Sequence, residues 1–88
     1  NKSIIDIDGN ILLVSQFTLH AKTRKGNRPS FVRAARPEKA INLYKEFKIE
    51  LSNTIGKNIK FGEFGADMKV SLTNDGPVTI IIDSKIKE

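Results

Sequence analysis

Cysteine is absent from the 88 residues, and histidine and methionine occur once each. Without cysteine there is no disulfide, no thiolate nucleophile and no Cys-based zinc site. The single histidine, His20, has no carboxylate cluster at ligand spacing around it. That argues against a metal centre, and the plainer reading of His20 is a surface residue at a strand end. Long hydrophobic runs are also missing. The longest, Ile11-Leu12-Leu13-Val14 and Ile80-Ile81-Ile82, fall far short of the roughly 20 apolar residues that a membrane helix needs. No membrane association is expected. The chain opens Asn1-Lys2-Ser3, with neither an initiator Met nor a signal-peptide pattern. A chain that opens without Met reads as a fragment or a trimmed chain, and the lack of cysteine suits the cytoplasm, the expected location.

Two phosphate-binding signatures are missing as well. Gly62 and Gly65 match neither the P-loop nor the dinucleotide spacing. No cofactor is expected.

What is present is a globular composition, with 39% hydrophobic and 28% charged residues. At 88 residues the chain has room for one domain with a modest core. The net charge of +5 permits an anionic partner such as nucleic acid, though charge alone is weak evidence for one.

The hydrophobic pattern predicts an α+β fold, a mainly antiparallel sheet with one long helix packed on it. Ser3 to Ile7 and Ile11 to Leu19 read as paired strands around an Asp8-Gly9-Asn10 turn. Ser30 is placed to cap a short helical turn through Ala35. Pro37 suits the first position of a helix, and Gly56 suits its end. Between them Ala40, Leu43, Tyr44, Phe47 and Leu51 form one apolar stripe. Residues 59–64 are expected to hold either a short strand or an irregular approach. From Asp67 to Thr73 the pattern alternates, with Met68, Val70 and Leu72 on one side, and Val78 to Asp83 reads as the last strand.

Three clusters bear on chemistry. Ser15 and His20 have opposite parity along one strand, so a Ser-His-acid triad is disfavoured. Lys22, Arg24, Lys25 and Arg28 crowd a loop around Gly26-Asn27. They could hold phosphates, or they could simply solvate the loop. Gly76-Pro77 sits where a strand should begin donating hydrogen bonds, yet proline has no N–H. A cis bond there would aim backbone acceptors rigidly, while a trans turn is the locally favoured alternative. Met68, Phe17 and Phe31 read by default as core, and Thr79 as a β-branched strand residue.

Taken together, Ser15-Gln16-Phe17-Thr18-Leu19, Lys25-Gly26-Asn27-Arg28-Pro29-Ser30-Phe31 and Asn74-Asp75-Gly76-Pro77-Val78-Thr79 resemble the D-aminoacyl-tRNA deacylase (D-tyrosyl-tRNA(Tyr) deacylase) family. "AINLYKEF" and "FGADMKVSL" look like that family too, so the resemblance runs through nearly the whole chain. It implies hydrolysis of the ester joining a D-amino acid to the terminal adenosine of tRNA. Glycyl-tRNA mischarged on tRNA(Ala) is a further possible substrate. It implies a homodimer with active sites at the subunit interface, and a barrel-like sheet of which this chain carries part. Residues 1–88 are then expected to be one domain, the carboxyl-terminal part of a longer deacylase domain without its N-terminal portion.

Carried over residue by residue, the resemblance makes Ser15, Gln16, Phe17 and Thr79 the candidate catalytic group. Backbone N–H groups near Phe17 would face the oxyanion, and Thr79 would serve more as a positioning group than as a nucleophile. A cis Gly76-Pro77 would be a chiral filter, its carbonyls binding the substrate amino group in the partner subunit's pocket. Phe17 and Met68 would wall the adenosine. The charge of Lys22, Arg24, Lys25 and Arg28 suits acceptor-stem phosphates. Two rivals remain: a non-catalytic basic RNA-binding module, and a structural fragment that pairs through a sheet edge.

Overall fold

Pro37 to Ile55 forms the only long helix in the computed structural model, which describes residues 1–86. The element order is β1 (Leu12–Leu13), α1 (Pro37–Ile55) and β2 (Lys60–Phe61). The helix starts and stops where its sequence says it should. Arg36 is extended at φ −65°, ψ 152°, and Pro37 occupies the first turn, where a missing N–H costs nothing. Glu38 sets a negative charge against the amino-terminal dipole. Gly56 takes the left-handed conformation at φ 74° and donates its N–H to the Ser52 carbonyl at 3.0 Å, closing the helix.

The covered face of α1 is turned from the predicted stripe. Ala40, Ile41, Tyr44, Lys48, Leu51, Ser52 and Ile55 are half-buried, whereas Leu43 and Phe47 are exposed. At about 100° per residue this is a rotation of roughly 60°. Ile59, just beyond the helix, is the one buried hydrophobic residue among those described, still 6% exposed. Lys48 Nζ lies 3.9 Å from the Phe61 ring centre, a cation–π contact that ties α1 to β2.

The expected mainly antiparallel, barrel-like sheet does not form. β1 and β2 are two-residue strands that pair in parallel, Leu12 with Lys60 and Leu13 with Phe61, joined through α1. The architecture is a small α+β unit. Local side-chain chemistry explains one missing strand. Ser3 and Asp6 exchange bonds, Ser3 N–H donating to Asp6 Oδ2 at 2.8 Å and Asp6 N–H to Ser3 Oγ at 3.2 Å. Asp8 and Gly9 N–H then donate to the Ile5 and Ile4 carbonyls, so residues 3–9 coil into turns. Lys57 Nζ pins that coil to the end of α1 through the Asp8 carboxylate at 2.7 Å and the Asp8 carbonyl at 3.0 Å.

The other losses have a different cause. Residues 67–73 and 78–82 carry strand-like sequence, but no described strand lies beside them to complete a ladder. Val70, Leu72, Val78, Ile80, Ile81 and Ile82 are all exposed. Ser30 caps no helix. It instead bridges Lys22, with N–H to carbonyl bonds of 2.7 and 2.8 Å, and only a single turn follows at Phe31–Ala34.

The radius of gyration is 15.4 Å, against the ~12 Å of a compact domain this long. The surface of 8675 Å² likewise exceeds the roughly 5,200 Å² usual for this mass. Much apolar area therefore stays uncovered by the chain itself. No helix among the described residues is long and apolar enough to cross a membrane.

Candidate functional site

An open groove of about 850 Å³ lies beyond the end of the β1–β2 ladder. One wall is the segment that leaves β1: Val14, Gln16, Phe17 and Thr18. The other is the segment that follows β2, from Gly65 to Met68, with Val70 and Leu72 beyond it. Parallel pairing of β1 with β2 puts these walls side by side, because the two strands leave the ladder in the same direction.

The first wall is shaped by a break in the strand. The Leu19 N–H approaches the Gln16 carbonyl at 3.4 Å, and the chain turns at Phe17-Thr18 instead of continuing as a strand. Gln16 and Phe17 are exposed at the groove while Ser15 is half-buried behind them. On the second wall the Ala66 N–H donates to the Glu63 carbonyl at 3.2 Å, turning the chain toward Met68. Met68 seats tightly against β2's end: a Cβ at Gly62 would lie 2.7 Å from its sulfur.

A small hydrogen-bonded knot lies behind both walls. Gly62 N–H donates to the Leu13 carbonyl at 3.1 Å. The Tyr44 hydroxyl, from α1, donates to the Gly62 carbonyl at 2.6 Å and lies 3.4 Å from the Leu13 carbonyl oxygen. The Tyr44 ring also packs on Phe64, centres 5.8 Å apart and tilted by 55°.

The candidate residues thus divide. Gln16, Phe17 and Met68 share the groove, and Ser15 lies next to it. Gly76, Pro77 and Thr79 line no part of it; they sit on the exposed segment that runs on from the second wall. The Gly76–Pro77 bond is cis, and Gly76 has a φ of 123°, in the region that favours glycine. Lys22, Arg24, Lys25 and Arg28 are exposed on the loop closed by the Lys22–Ser30 bridge. Two polar residues of the groove wall, Asp67 and Thr18, lie within the motifs but were given no role. Asp67 is the only ionisable side chain on the groove wall, although its parity in the alternating run had set it on the face opposite Met68. Thr18 sits beside Phe17 inside the SQFTL motif. A second cavity of about 350 Å³ lies between the later half of α1 and β2 and holds none of the motif residues.

Comparison with known proteins agrees with the motifs. Residues 1–83 match the family model described as D-Tyr-tRNA(Tyr) deacylase. The chain belongs to that family. It is similar over all 88 residues to proteins named D-aminoacyl-tRNA deacylase: 65% identical to one from Bacteroides fragilis, 62% to one from Akkermansia muciniphila and 62% to one from Flavobacterium psychrophilum. The chain spans 59% of the length of each.

Proposed function

We propose that this protein hydrolyses the ester of D-aminoacyl-tRNA, releasing the D-amino acid and free tRNA, and that it also clears glycine mischarged on tRNA(Ala). The observation that carries the reading is the groove that brings Gln16, Phe17 and Met68 together. Phe17 and Met68 give the groove an apolar lining that suits the terminal adenosine. Backbone N–H groups around Phe17 face the developing oxyanion, while Ser15 and Gln16 orient the ester or its water. An aminoacyl ester is already activated, so catalysis here rests on positioning more than on a strong base. The 2′-hydroxyl of the substrate's own ribose assists.

Gly76 and Pro77 act as the chiral filter, on a second copy's groove. Their exposure, and their absence from the groove of their own chain, support this arrangement, as does the uncovered apolar surface around them. Their carbonyls accept bonds from the amino group, and an L side chain would run into the wall that a D side chain avoids. Glycine, lacking a side chain, passes. Thr79 holds this segment's geometry. Lys22, Arg24, Lys25 and Arg28 contact acceptor-stem phosphates from their exposed loop. The protein works as a homodimer in the cytoplasm, with residues 1–88 forming one unit of the deacylase domain.

The test is hydrolysis of matched D- and L-aminoacyl-tRNA by this chain and by the chain extended to its relatives' full length. Cleavage of the D-ester alone supports the reading. Salt-sensitive tRNA binding without cleavage of either ester would replace it with a binding module.

A further inference from the structure

We propose that Tyr44 is a positioning residue for the groove, acting through Gly62 and Met68; the catalytic part of this inference rests on the function proposed above. Tyr44 touches no part of the groove. Its hydroxyl is nonetheless bonded at 2.6 Å to the carbonyl of Gly62, and the Leu13 carbonyl is 3.4 Å away. Those two residues are where the ladder ends and the walls begin. Leu13 is followed at once by the wall of Val14, Gln16 and Phe17, and Gly62 leads into the turn before Met68.

Elsewhere the walls have little to hold them. β1 and β2 share only a two-residue register, and no strand lies beyond the pair among the described residues. A parallel pair this short is weak by itself. Tyr44 adds a side-chain bond from a 19-residue helix to the point where the ladder stops. Its ring, against Phe64, braces the second wall within its turn.

Gly62 passes that anchoring on to the groove. With the carbonyl fixed by Tyr44 and the N–H fixed on Leu13, the peptide groups on both sides of its Cα are held. Met68 then lies where a Cβ would stand 2.7 Å from its sulfur. The missing side chain at Gly62 is therefore the seat of Met68, and the height of Met68 in the groove depends on a peptide that Tyr44 holds. The chain of contacts runs from α1 through Gly62 to Met68.

The decisive experiment labels methionine methyls with carbon-13 in the chain extended to its relatives' full length. The Met68 signal is assigned by its loss in Met68→Leu. Tyr44→Phe, which keeps the ring and removes the hydroxyl, is expected to shift the Met68 methyl and the Gln16 and Phe17 amides. Lys57→Ala, which releases only the amino-terminal coil, leaves them in place. Gly62→Ala also displaces the Met68 methyl, by filling its seat, and stands in if Tyr44→Phe does not fold. In hydrolysis of D-aminoacyl-tRNA, Tyr44→Phe lowers kcat/KM by about three- to tenfold. Gly62→Ala lowers it in the wild-type background but adds nothing once Met68→Ala has emptied the seat.

A Met68 methyl and groove amides that stay put in Tyr44→Phe overturn the inference, whatever the activity. Signals that move in a protein unable to cleave any aminoacyl ester support the positioning chain and overturn the proposed function instead. Additive losses from Gly62→Ala and Met68→Ala refute the step from Gly62 to Met68.

Discussion

Replacing Gly76 with alanine tests the proposed filter with the least disturbance elsewhere. The substitution does not fail for want of room. A Cβ at this position would meet the Val78 nitrogen at 3.5 Å and Val78 Cγ2 at 3.8 Å, both ordinary contacts. The cost is in the backbone, because Gly76 sits at φ 123°, where L side chains are rarely found. Holding alanine there costs about 1–3 kcal/mol. The segment around it is exposed, and none of its described residues from 73 to 80 makes a hydrogen bond that would enforce the strained value. Alanine will therefore relax toward negative φ and turn the neighbouring carbonyls away. The population that keeps the original geometry should drop by about 5- to 150-fold, the same 1–3 kcal/mol expressed as a ratio. Because the relaxed segment loses no packing within its own chain, the stability of the single chain should move by less than about 0.5 kcal/mol. The assay is kcat/KM on D-aminoacyl-tRNA, with the L-ester as reference and urea unfolding as control. A fall in the D-rate within that range, at unchanged stability, is the expected result. A Gly76→Ala protein that keeps its D-rate and its D/L ratio within twofold would refute the reasoning.

Other perturbations bear on the fold and on RNA binding. Ile59→Ala truncates the one buried hydrophobic residue described and should cost about 2 kcal/mol, the low end for such a change, because Ile59 keeps some exposure and the adjoining cavity is open to solvent; urea unfolding measures it. Lys57 holds the Asp8 carboxyl below its ordinary value, chiefly by hydrogen bonding and then by charge. A depressed carboxyl stabilises the fold above its unfolded value of about 4, and that contribution fades as pH falls through the lower folded value. Lys57→Ala should raise the Asp8 titration midpoint seen by NMR, and an unmoved midpoint would dismiss the pair. Neutralising Arg24 and Arg28 together should flatten the salt dependence of tRNA binding. The slope should fall by up to about 0.7–0.9 for each phosphate that is no longer neutralised, while an unchanged slope would leave the loop a merely solvated one.

The helix was legible because its signals are local. Pro37 and Gly56 mark its ends by their own backbone preferences, and both ends hold. Its covered face was less legible. Leu43 and Phe47 have the right spacing for a stripe, but spacing does not say which flank a neighbour covers; Ile41 and Ile55 are covered in their place. The sheet was misread for a related reason. Alternation from Asp67 to Thr73 assigns faces to residues, whereas a ladder needs a second strand, and pairing is decided far along the chain. At Ser3 and Asp6 short side chains captured the backbone that a strand would have used. In the groove, Gln16, Phe17 and Met68 were found by motif. Asp67 was missed because the chain turns at residues 63–66, and strand parity fails next to a turn. Tyr44 was placed on the apolar stripe, and nothing in its spacing reveals that its hydroxyl would reach two carbonyls.

The pairing of Leu12 with Lys60 also sets an order of events during synthesis. The ribosome releases the first partner long before the second exists. Roughly 50 residues separate them, so at about 5–20 residues per second the apolar run from Ile11 to Val14 waits some seconds for this partner. α1 lies wholly within that interval and can form first, since its contacts are local. The nascent chain therefore leaves this hydrophobic stretch without its β2 partner for the whole time that the helix is being made. A factor that binds short apolar segments has its opening then, and it closes when Lys60 and Phe61 emerge.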